Sequence, residues 1–442
     1  MAFSQMTKTD PKVLIVSRGV WDDAGTSSTL SNIFQNYDSR NLSQIYIETK
    51  KPNTHLCQSF FQISEFSLIK KLYKWRTKTG QRVDSTYIVN TDVARKEADT
   101  MQYVRKHRSF AYNILRELLW HLNGWKTKEL RSFIREENPD VLWVTGSPLI
   151  LMNRLSQYVV KESGKPYCLY EMDDVYSYKN CGSNPFKYIY RFFLRGRVRK
   201  LMKGASQVFV ISPKMKKEFD SLFGIDSIVL TKGIDFTDRQ FTEALPSDPI
   251  NMVYAGNLIY GRLSTIEKLA IALDEINSSG KRIVLSIYTG TPLSEDIKTK
   301  ISEKGSVRFQ KPVPYQQVAE IIRQSDVVLF AETLEEKKKN IARLSFSTKL
   351  TDYLAGGKCL FAIGPSDIAP MEYLIDNDAA ITVTDVREIK EKLDYILEPG
   401  IIEQYARKAY DCGLRNHDKS QLDNLLFTKL KEISYNESPT IS

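Results

Sequence analysis

Short apolar runs of strand length alternate with helical stretches along most of the chain, and this pattern constrains the fold more than any other feature. In the first half the runs lie at 13–17, 45–48, 141–145, 167–171, 207–211 and 227–230. Helical stretches such as 128–139 separate several of them. Continuously apolar strands that alternate with helices are buried on both faces and form parallel sheets. The first half therefore predicts a doubly wound α/β domain.

The same pattern starts again in the second half, with apolar runs at 251–258, 282–290, 326–330, 358–364 and 379–383. The polar stretch 236–249 contains two prolines and no periodicity, so it is the best candidate for a linker. We expect two Rossmann-like domains, 1–235 and 250–415, which face a central cleft. The remainder, 416–442, is expected to form a C-terminal helix and tail, and its return to the first domain stays open. In such folds ligands bind beyond the carboxyl ends of the strands.

Composition excludes several classes of protein. The chain has no apolar run of the ~18 to 20 residues that a membrane helix needs, and its first residues do not resemble a signal peptide. We therefore expect a cytoplasmic protein. Its five cysteines are odd in number and are not arranged as CxxC pairs, so they indicate neither a disulfide framework nor a zinc site. Only four histidines are present, which excludes sites that need several histidine ligands.

The net charge of +10 is unevenly distributed. Residues 1–230 carry 36 Lys and Arg against 22 Asp and Glu, whereas the remainder carries 27 against 31. A basic first half indicates an anionic partner, such as a lipid surface, a phosphorylated substrate or nucleic acid. No nucleic-acid-binding motif is present, so we do not predict a nucleic-acid partner.

Three stretches combine basic with aromatic residues, at 66–82, 103–126 and 186–204. Such sequences resemble interfacial helices that bind an anionic membrane. The alternative is a helix with one core face and one solvated basic face, and both interpretations stay open.

The stretch SFSTKLTDYLAGGK (345–358) predicts a helix that begins near Ser347 or Thr348 and ends at two glycines. Free backbone N–H groups and the helix dipole favour an anion at its start, where Lys349 also lies. Asp352 follows one turn later on the same face, and a carboxylate can accept both hydroxyl hydrogen bonds of a ribose. The alternative is an ordinary N-cap with an exposed lysine and a solvated aspartate.

A second glycine-containing turn, VYAGNLIYGR (253–262), runs from a strand through Gly256 and Asn257 to Arg262. Glycine lets the backbone approach a ligand closely, and arginine binds phosphate through two hydrogen bonds. Alone this signal is weak, because strand-to-helix turns often contain glycine. Together with the helix at 345–358 it predicts a diphosphate held between two helix starts.

VYAGNLIYGR, followed by STKLTDYLAGGKCLFAIGP, resembles the donor-binding domain of GT-B glycosyltransferases, specifically retaining glycosyltransferase family 4. The resemblance is specific over about 205–385 and general over 12–204. It implies that Asp352 binds the ribose and that Arg262 binds the diphosphate and stabilises its charge during transfer. It implies diphosphate contacts for Ser347 and Thr348, whereas Lys349 matches a motif position with a less defined contact.

The sequence departs from the family pattern at two positions. The family carries a glutamate pair separated by seven residues; here the second member is Asp352, and Leu344 stands at the position of the first. That first glutamate helps to hold the transferred sugar, so Leu344 puts sugar identity and catalysis in question. The family also places arginine just after the first glycine of the turn, where this chain has Asn257.

The first half is expected to provide the acceptor site. In the loop at 19–28, which resembles the family's first loop, Gly25 and Thr26 are our candidates for contact with phosphate and acceptor. Glu171, Asp173 and Asp174 end a strand where many relatives carry a catalytic or sugar-positioning group. A carboxylate there could accept the acceptor's proton or bind sugar hydroxyls. The alternative is that these acids are surface charges at a strand end.

The resemblance implies a glycosyltransferase that moves a sugar from a nucleotide-diphosphate sugar to an acceptor hydroxyl, with retention of configuration. It implies no required metal or cofactor, because GT-B enzymes stabilise the leaving diphosphate with protein groups. A saccharide, a lipid-linked saccharide or a polysaccharide precursor at the inner membrane face would be the acceptor. A sugar-nucleotide-binding or assembly protein without transfer activity, and a nucleotide-sugar epimerase, stay open as alternatives. The sequence specifies neither base, sugar, linkage nor oligomeric state.

Overall fold

A computed structural model describes residues 10–23, 28–83, 110–122, 124–237, 239–243, 245–280 and 282–435. Its described part contains two sheets, one of eight strands and one of six. All neighbouring strands within them are parallel except one pair at the edge of the larger sheet. The predicted doubly wound α/β architecture is confirmed.

The N-terminal domain is built on the eight-stranded sheet. Its strands are β1 (Val13–Val16), β2 (Leu42–Tyr46), β3 (Ser59–Ile63), β4 (Gly80–Val83), β5 (Val141–Thr145), β6 (Tyr167–Glu171), β7 (Gln207–Val210) and β8 (Ile228–Val229). Their order is β4-β3-β2-β1-β5-β6-β7-β8, and β4 alone is antiparallel to its neighbour. The central strand β1 is buried along its whole length, as its unbroken apolar sequence requires.

Helices cover both faces of this sheet. They are α1 (Ser28–Ile33), α2 (Glu65–Lys71), α3 (Phe110–His121), α4 (Lys128–Glu137), α5 (Ile150–Ser163), α6 (Pro185–Gly204) and α7 (Pro213–Phe223). Local sequence sets their ends. In α4, for example, Thr127 accepts a capping hydrogen bond from the N–H of Leu130 at 3.1 Å, and Asn138 ends the helix in the left-handed conformation.

The C-terminal domain is built on the six-stranded sheet, in the order β11-β10-β9-β12-β13-β14. Its strands are β9 (Ile250–Ala255), β10 (Ile283–Tyr288), β11 (Val307–Gln310), β12 (Val327–Ala331), β13 (Cys359–Ile363) and β14 (Ile381–Val383). Its helices, with the final helix of the chain, are α8 (Arg262–Ile276), α9 (Glu295–Ser302), α10 (Tyr315–Arg323), α11 (Glu336–Lys339), α12 (Thr348–Ala355), α13 (Ala369–Asp376), α14 (Ile389–Ile396), α15 (Ile401–His417) and α16 (Lys419–Tyr435).

The last helix, α16, follows the C-terminal domain in sequence but packs on the N-terminal domain. Leu426, Leu430 and Ile433 of α16 share a buried apolar cluster with Phe34 and Trp143. At the crossing point, the N–H of Ile234 donates to the carbonyl of His417 at 2.7 Å, and the N–H of Lys419 donates back to Ile234 at 2.8 Å. The chain therefore passes between the domains twice, side by side.

The prediction of a helix over 66–82 is wrong after Lys71. The stretch 66–82 was interpreted as an interfacial helix, but α2 ends at Lys71 and the chain then forms strand β4. Gly80 and Val83 of β4 are buried while the two residues between them are exposed, a pattern that suits an edge strand. The stretch 186–204 is helical throughout, within α6. The described part of 103–126 contains α3, and residues 103–109 lie outside the description.

Candidate active site

The candidate donor site centres on the start of α12, which faces the glycine turn after β9. Ser347 stands at the N-cap position, but its side chain makes no capping hydrogen bond. The helix ends with Gly356 at its C-cap, and Gly357 follows with φ +61°, a conformation that favours glycine. Since the Ser347 hydroxyl does not cap the helix, the N–H groups of its first turn remain suited to an anion.

Lys349 reaches from α12 to the glycine turn. Its Nζ donates to the carbonyl of Ala255 at 3.1 Å, beside the Tyr353 hydroxyl, which donates to the same oxygen at 3.0 Å. A Cβ atom added to Gly256 would lie 3.0 Å from Lys349 Nζ. The Tyr254 hydroxyl would also lie 3.0 Å from that Cβ, so the close approach of both side chains favours glycine at this position.

Lys349 carries a positive charge that is poorly compensated. Burial lowers the pKa of its ammonium below the ordinary value, and the nearby Arg262 lowers it further, while Glu332 and Asp352 oppose the shift. Among the described residues, no carboxylate lies within 4.0 Å of its Nζ. A partly buried ammonium beside a helix N-terminus is well suited to bind an anion. The alternative of an exposed lysine is not what the structure shows, because Lys349 is half-buried.

Arg262 is in a different electrostatic state. It is the first residue of α8, behind Gly261 at the N-cap with φ +91°. Its guanidinium binds Glu332 through two hydrogen bonds of 3.0 Å and 2.6 Å, and it donates to Asn257 Oδ1 at 2.6 Å. The sequence predicts that Arg262 neutralises a phosphate in this turn. In the structure Glu332 already balances that charge.

Asp352 lies on α12 one turn after Thr348 and forms an ion pair with Lys232, which follows β8 in the N-terminal domain. Both side chains are largely shielded from solvent, so the pair joins the two domains inside the cleft. The alternative of a solvated aspartate is therefore not observed. A ribose that binds Asp352 would share the carboxylate with Lys232 or displace the lysine.

The three acids that end β6 have three different environments. Glu171 is fully buried, and its carboxyl packs against Gly146, where an added Cβ would fall 1.9 Å from Oε2. Burial raises the pKa of Glu171 well above its ordinary value, and Asp173 and Asp174 raise it further. Within the described residues, Glu171 Oε2 has no hydrogen-bond partner. Its position behind the cleft therefore favours the neutral, protonated form of the Glu171 carboxyl.

Asp174 is buried but ionised. Its burial would raise its pKa, but hydrogen bonds from Ser177 and Arg343 outweigh that effect and hold the pKa of the carboxyl below its ordinary value. Asp173, in contrast, is exposed and accepts a hydrogen bond from the Ser345 hydroxyl at 2.6 Å. Of the three acids, Asp173 is the one that a substrate can reach.

Arg343 was not singled out from the sequence, yet it binds the domains together. Its guanidinium contacts Asp174 Oδ2 at 2.7 Å and also pairs with Glu218, and its side chain is only 5% exposed. The neighbouring Leu344 is fully buried in the apolar core, and its carbonyl accepts a hydrogen bond from Ser212 at 2.8 Å. The position of the family's first glutamate is therefore a core position in this chain.

Two further predictions concern this site. Gly25 and Thr26 lie outside the described residues, so their proximity to the cleft stays a prediction. In the described part of the chain, no group of three or more His, Cys, Asp or Glu side chains is placed to hold a metal ion. All five cysteines are buried thiols.

Residues 274–422 match a family model described as glycosyl transferase-like. A comparison with curated protein sequences finds no match. Among solved structures, sucrose-phosphate synthase from Thermosynechococcus elongatus is similar over 96% of this chain and 99% of its own, with 11% identity and a TM-score of 0.60.

Two further structures are similar over the whole chain. A glycosyltransferase from Rickettsia africae aligns over 97% of this chain and 100% of its own, with 12% identity and a TM-score of 0.57. The Anabaena protein HepE, solved in complex with UDP-glucose, aligns over 96% of this chain and 100% of its own, with 12% identity and a TM-score of 0.56. At these identities the structural likeness establishes the two-domain GT-B fold alone. The family match adds that residues 274–422, within the second half of the chain, are similar to glycosyl transferases.

Proposed function

We propose that this protein transfers a sugar from a nucleotide-diphosphate sugar to an acceptor hydroxyl, with Lys349 as the main cation of the donor site. The observation that carries the proposal is the position of its ammonium. It lies between the turn at Gly256 and the start of α12, partly buried, and without a carboxylate at ion-pair distance among the described residues. A leaving diphosphate would supply the missing negative charge.

The donor would bind along the start of α12. Its diphosphate would accept hydrogen bonds from first-turn N–H groups, from Ser347 and Thr348, and from Lys349. The helix dipole alone would contribute about 0.3 to 2 kcal/mol to phosphate binding. The ribose would bind Asp352. A structural neighbour was solved with UDP-glucose, which makes UDP the first nucleotide to test.

The acceptor would bind on the side of the N-terminal domain. Asp173 is accessible at the cleft edge and would accept a hydrogen bond from the attacking hydroxyl, which orients it toward the sugar. Lys349 would stabilise the charge that develops on the departing diphosphate. We propose retention of configuration, as in the family that the sequence resembles, and a saccharide or lipid-linked saccharide as acceptor.

One observation favours a second candidate, a protein that binds a sugar nucleotide without transferring the sugar. Leu344 occupies the position of the family's first glutamate and is fully buried, so it offers no hydrogen bond to a donor sugar. A neighbouring group would have to hold the sugar for transfer to occur. This candidate shares the nucleotide site of the first but makes no product.

Thermal unfolding in the presence of UDP, GDP, ADP, CMP and dTDP tests the donor site. A ligand at about 100 times its dissociation constant stabilises the folded state by about 2.7 kcal/mol. We expect one nucleotide to raise the unfolding temperature of the parent, and Asp352→Ala and Lys349→Met to reduce that rise. Lys300→Gln, a change of an exposed lysine on α9, is the matched control and should leave the rise intact.

The outcome also separates the two candidates. Nucleotide binding together with a glycosylated product supports the transferase. Binding of an intact nucleotide sugar, with no product for any saccharide acceptor and no hydrolysis, supports the binding protein. If no nucleotide stabilises the parent, the proposed donor site is wrong.

A further inference from the structure

Helices α2, α3 and α6 of the N-terminal domain expose an unusual amount of apolar surface. Fourteen of the twenty-four large apolar side chains that are exposed in the described part of the chain lie on α2, α3, α6 or the turns after α2 and α3. They are Phe66, Ile69, Leu72, Tyr73, Trp75, Ile114, Leu115, Leu118, Leu122, Phe186, Tyr188, Ile189, Phe192 and Phe193. We call these residues the apolar face.

Helix α3 exposes a stripe of leucines on its outer side, although Trp120 on its inner side is fully buried in the core. Leu115, Leu118 and Leu122, at i, i+3 and i+7, are 58 to 66% exposed. Two charged side chains of the helix point inward, since Arg116 pairs with the buried Glu65 and Glu117 accepts a hydrogen bond from Tyr190 of α6 at 2.7 Å. A surface helix in water normally buries its apolar stripe. This arrangement suits a helix whose outer side meets an apolar environment.

The three helices that carry the apolar face are neighbours. Helix α2 packs against α3, and the Tyr190–Glu117 hydrogen bond joins α3 to α6. On α6, Phe192 and Phe193 are 66% and 62% exposed and their rings contact each other. Exposed apolar patches of this kind mark sites of interaction with a protein or a membrane.

The charge around the apolar face selects between these partners. The stretch 66–78 contains five Lys and Arg, α6 contains seven, and neither contains an Asp or Glu. Lysine is depleted at protein–protein interfaces, and a second copy would present the same positive charge. Aromatic residues among lysines and arginines are instead typical of surfaces that insert into the headgroup region of anionic bilayers.

We propose that the apolar face and its flanking lysines and arginines dock this protein on an anionic lipid bilayer. The apolar side chains would enter the headgroup region, and the basic side chains would contact lipid phosphates. No described helix is both long and apolar enough to cross the membrane. The protein would therefore lie on the surface of the bilayer.

The docked surface is directly connected to the acceptor side of the cleft. Arg195 of α6 donates to the carbonyl of Tyr176 at 3.0 Å, and the ring of Tyr188, a member of the apolar face, stacks on Tyr178. Tyr176 and Tyr178 belong to the segment that follows Asp173. Docking through α6 would thus bring a lipid-linked acceptor close to Asp173. This last step rests on the proposed function, whereas membrane docking does not.

Flotation with vesicles tests the docking. The full chain is mixed with phosphatidylcholine vesicles, or with vesicles of phosphatidylcholine and phosphatidylglycerol. We expect at least tenfold stronger partitioning onto the anionic vesicles, and a decrease when salt is raised. The double variant Phe192→Ser with Phe193→Ser should lose at least tenfold, and Lys200→Gln with Lys203→Gln should lose selectivity for the anionic lipid.

Matched controls lie on the C-terminal domain. Ile271 on α8 is 62% exposed, so Ile271→Ser also replaces an exposed apolar side chain with serine, but away from the apolar face. Lys300→Gln with Lys304→Gln does the same for charge. These controls should partition like the parent, and circular dichroism should show that every variant is folded.

Several outcomes would overturn the proposal. Equal partitioning onto neutral and anionic vesicles would show that anionic lipid is not required. Unchanged partitioning of the Phe192 and Phe193 double variant would show that the apolar face does not bind the bilayer. If the parent does not float and sedimentation shows a dimer that this double variant dissociates, the face is a contact between copies. Nucleotide-induced stabilisation is measured in the same variants, so failure of docking is distinguished from failure of the donor site.

Discussion

Arg262 and Lys349 lie in the first turns of two helices of the same domain, and both face the same cleft, but the charge of Arg262 is paired with a carboxylate whereas, among the described residues, no carboxylate pairs with Lys349. Arg262 donates two hydrogen bonds to the carboxylate of Glu332 and a third to the side-chain oxygen of Asn257. Within the described part of the chain, Lys349 Nζ hydrogen-bonds only to the backbone carbonyl of Ala255, and burial lowers its pKa. The two cations occupy similar motif positions, but the positive charge of Arg262 is already paired with a carboxylate. The charge of Lys349 can pair with an incoming phosphate.

The difference follows from how each charged side chain affects the stability of the unliganded protein. A buried arginine with a bidentate carboxylate has its hydrogen bonds satisfied, so the Arg262 pair can serve the fold on its own. A partly buried ammonium without a counterion is unfavourable until an anion arrives. We infer that Arg262 shapes the glycine turn and that Lys349 binds and stabilises the diphosphate.

Replacement of Lys349 tests this comparison most strongly. We expect Lys349→Met to lower kcat by about 10² to 10³, the loss typical of removing one group that stabilises developing negative charge. The free energy of unfolding should not decrease, because the variant removes a poorly compensated charge and keeps the apolar stem. Steady-state kinetics and urea denaturation measure the two effects.

Replacement of Arg262 should give the opposite pattern. The Glu332 side chain is only 6% exposed, so Arg262→Met leaves a buried carboxylate without its main partner. We expect a loss of about 3 kcal/mol in the free energy of unfolding, since removal of one partner from a buried pair is strongly destabilising. Denaturation in urea, at constant m-value, measures it.

The double variant Arg262→Met with Glu332→Leu serves as the control for that prediction. It removes both charges and should be more stable than the single variant. A stable Arg262→Met protein whose kcat is as low as that of Lys349→Met would contradict the comparison, since Arg262 would then act on the substrate.

The fold was predictable from sequence because parallel strands buried on both faces leave an unmistakable apolar pattern. The strands at 141–145 and 167–171 were predicted to the residue, whereas the interior strand β3 and the edge strands β4 and β11 were missed. The edge strands contain polar positions because one edge and part of a face meet solvent, and β3 contains Ser59 and Gln62, so no continuous apolar run marks any of the three.

The site was only partly predictable. The motif indicated Lys349 and Asp352, since a helix start and its spacing are local features. Their electrostatic partners were not visible: Arg262 and Glu332 are 70 residues apart, and Lys232 and Asp352 are 120 apart. Pairs at such separations depend on how the sheets and domains assemble, which a single sequence does not encode in any local pattern.

The dependence of nucleotide binding on pH gives the smallest and most specific test. The pKa of Lys349 is lowered from its ordinary 10.5, so its ammonium is lost at lower pH than that of an exposed lysine. We expect the affinity for the nucleoside diphosphate to fall about tenfold as pH rises through this lowered pKa, because the neutral amine no longer attracts the phosphates. Titration calorimetry across this range measures the change.

The stability of the unliganded protein should move in the other direction over the same range. Between the lowered pKa of Lys349 and 10.5, the unfolded chain holds a proton that the folded chain has released, so this group's contribution to stability rises with pH. Lys349→Arg keeps its charge throughout and should show neither trend. If nucleotide affinity in the parent and in Lys349→Arg falls at the same pH, another group controls binding, and the contrast between Lys349 and Arg262 loses its electrostatic basis.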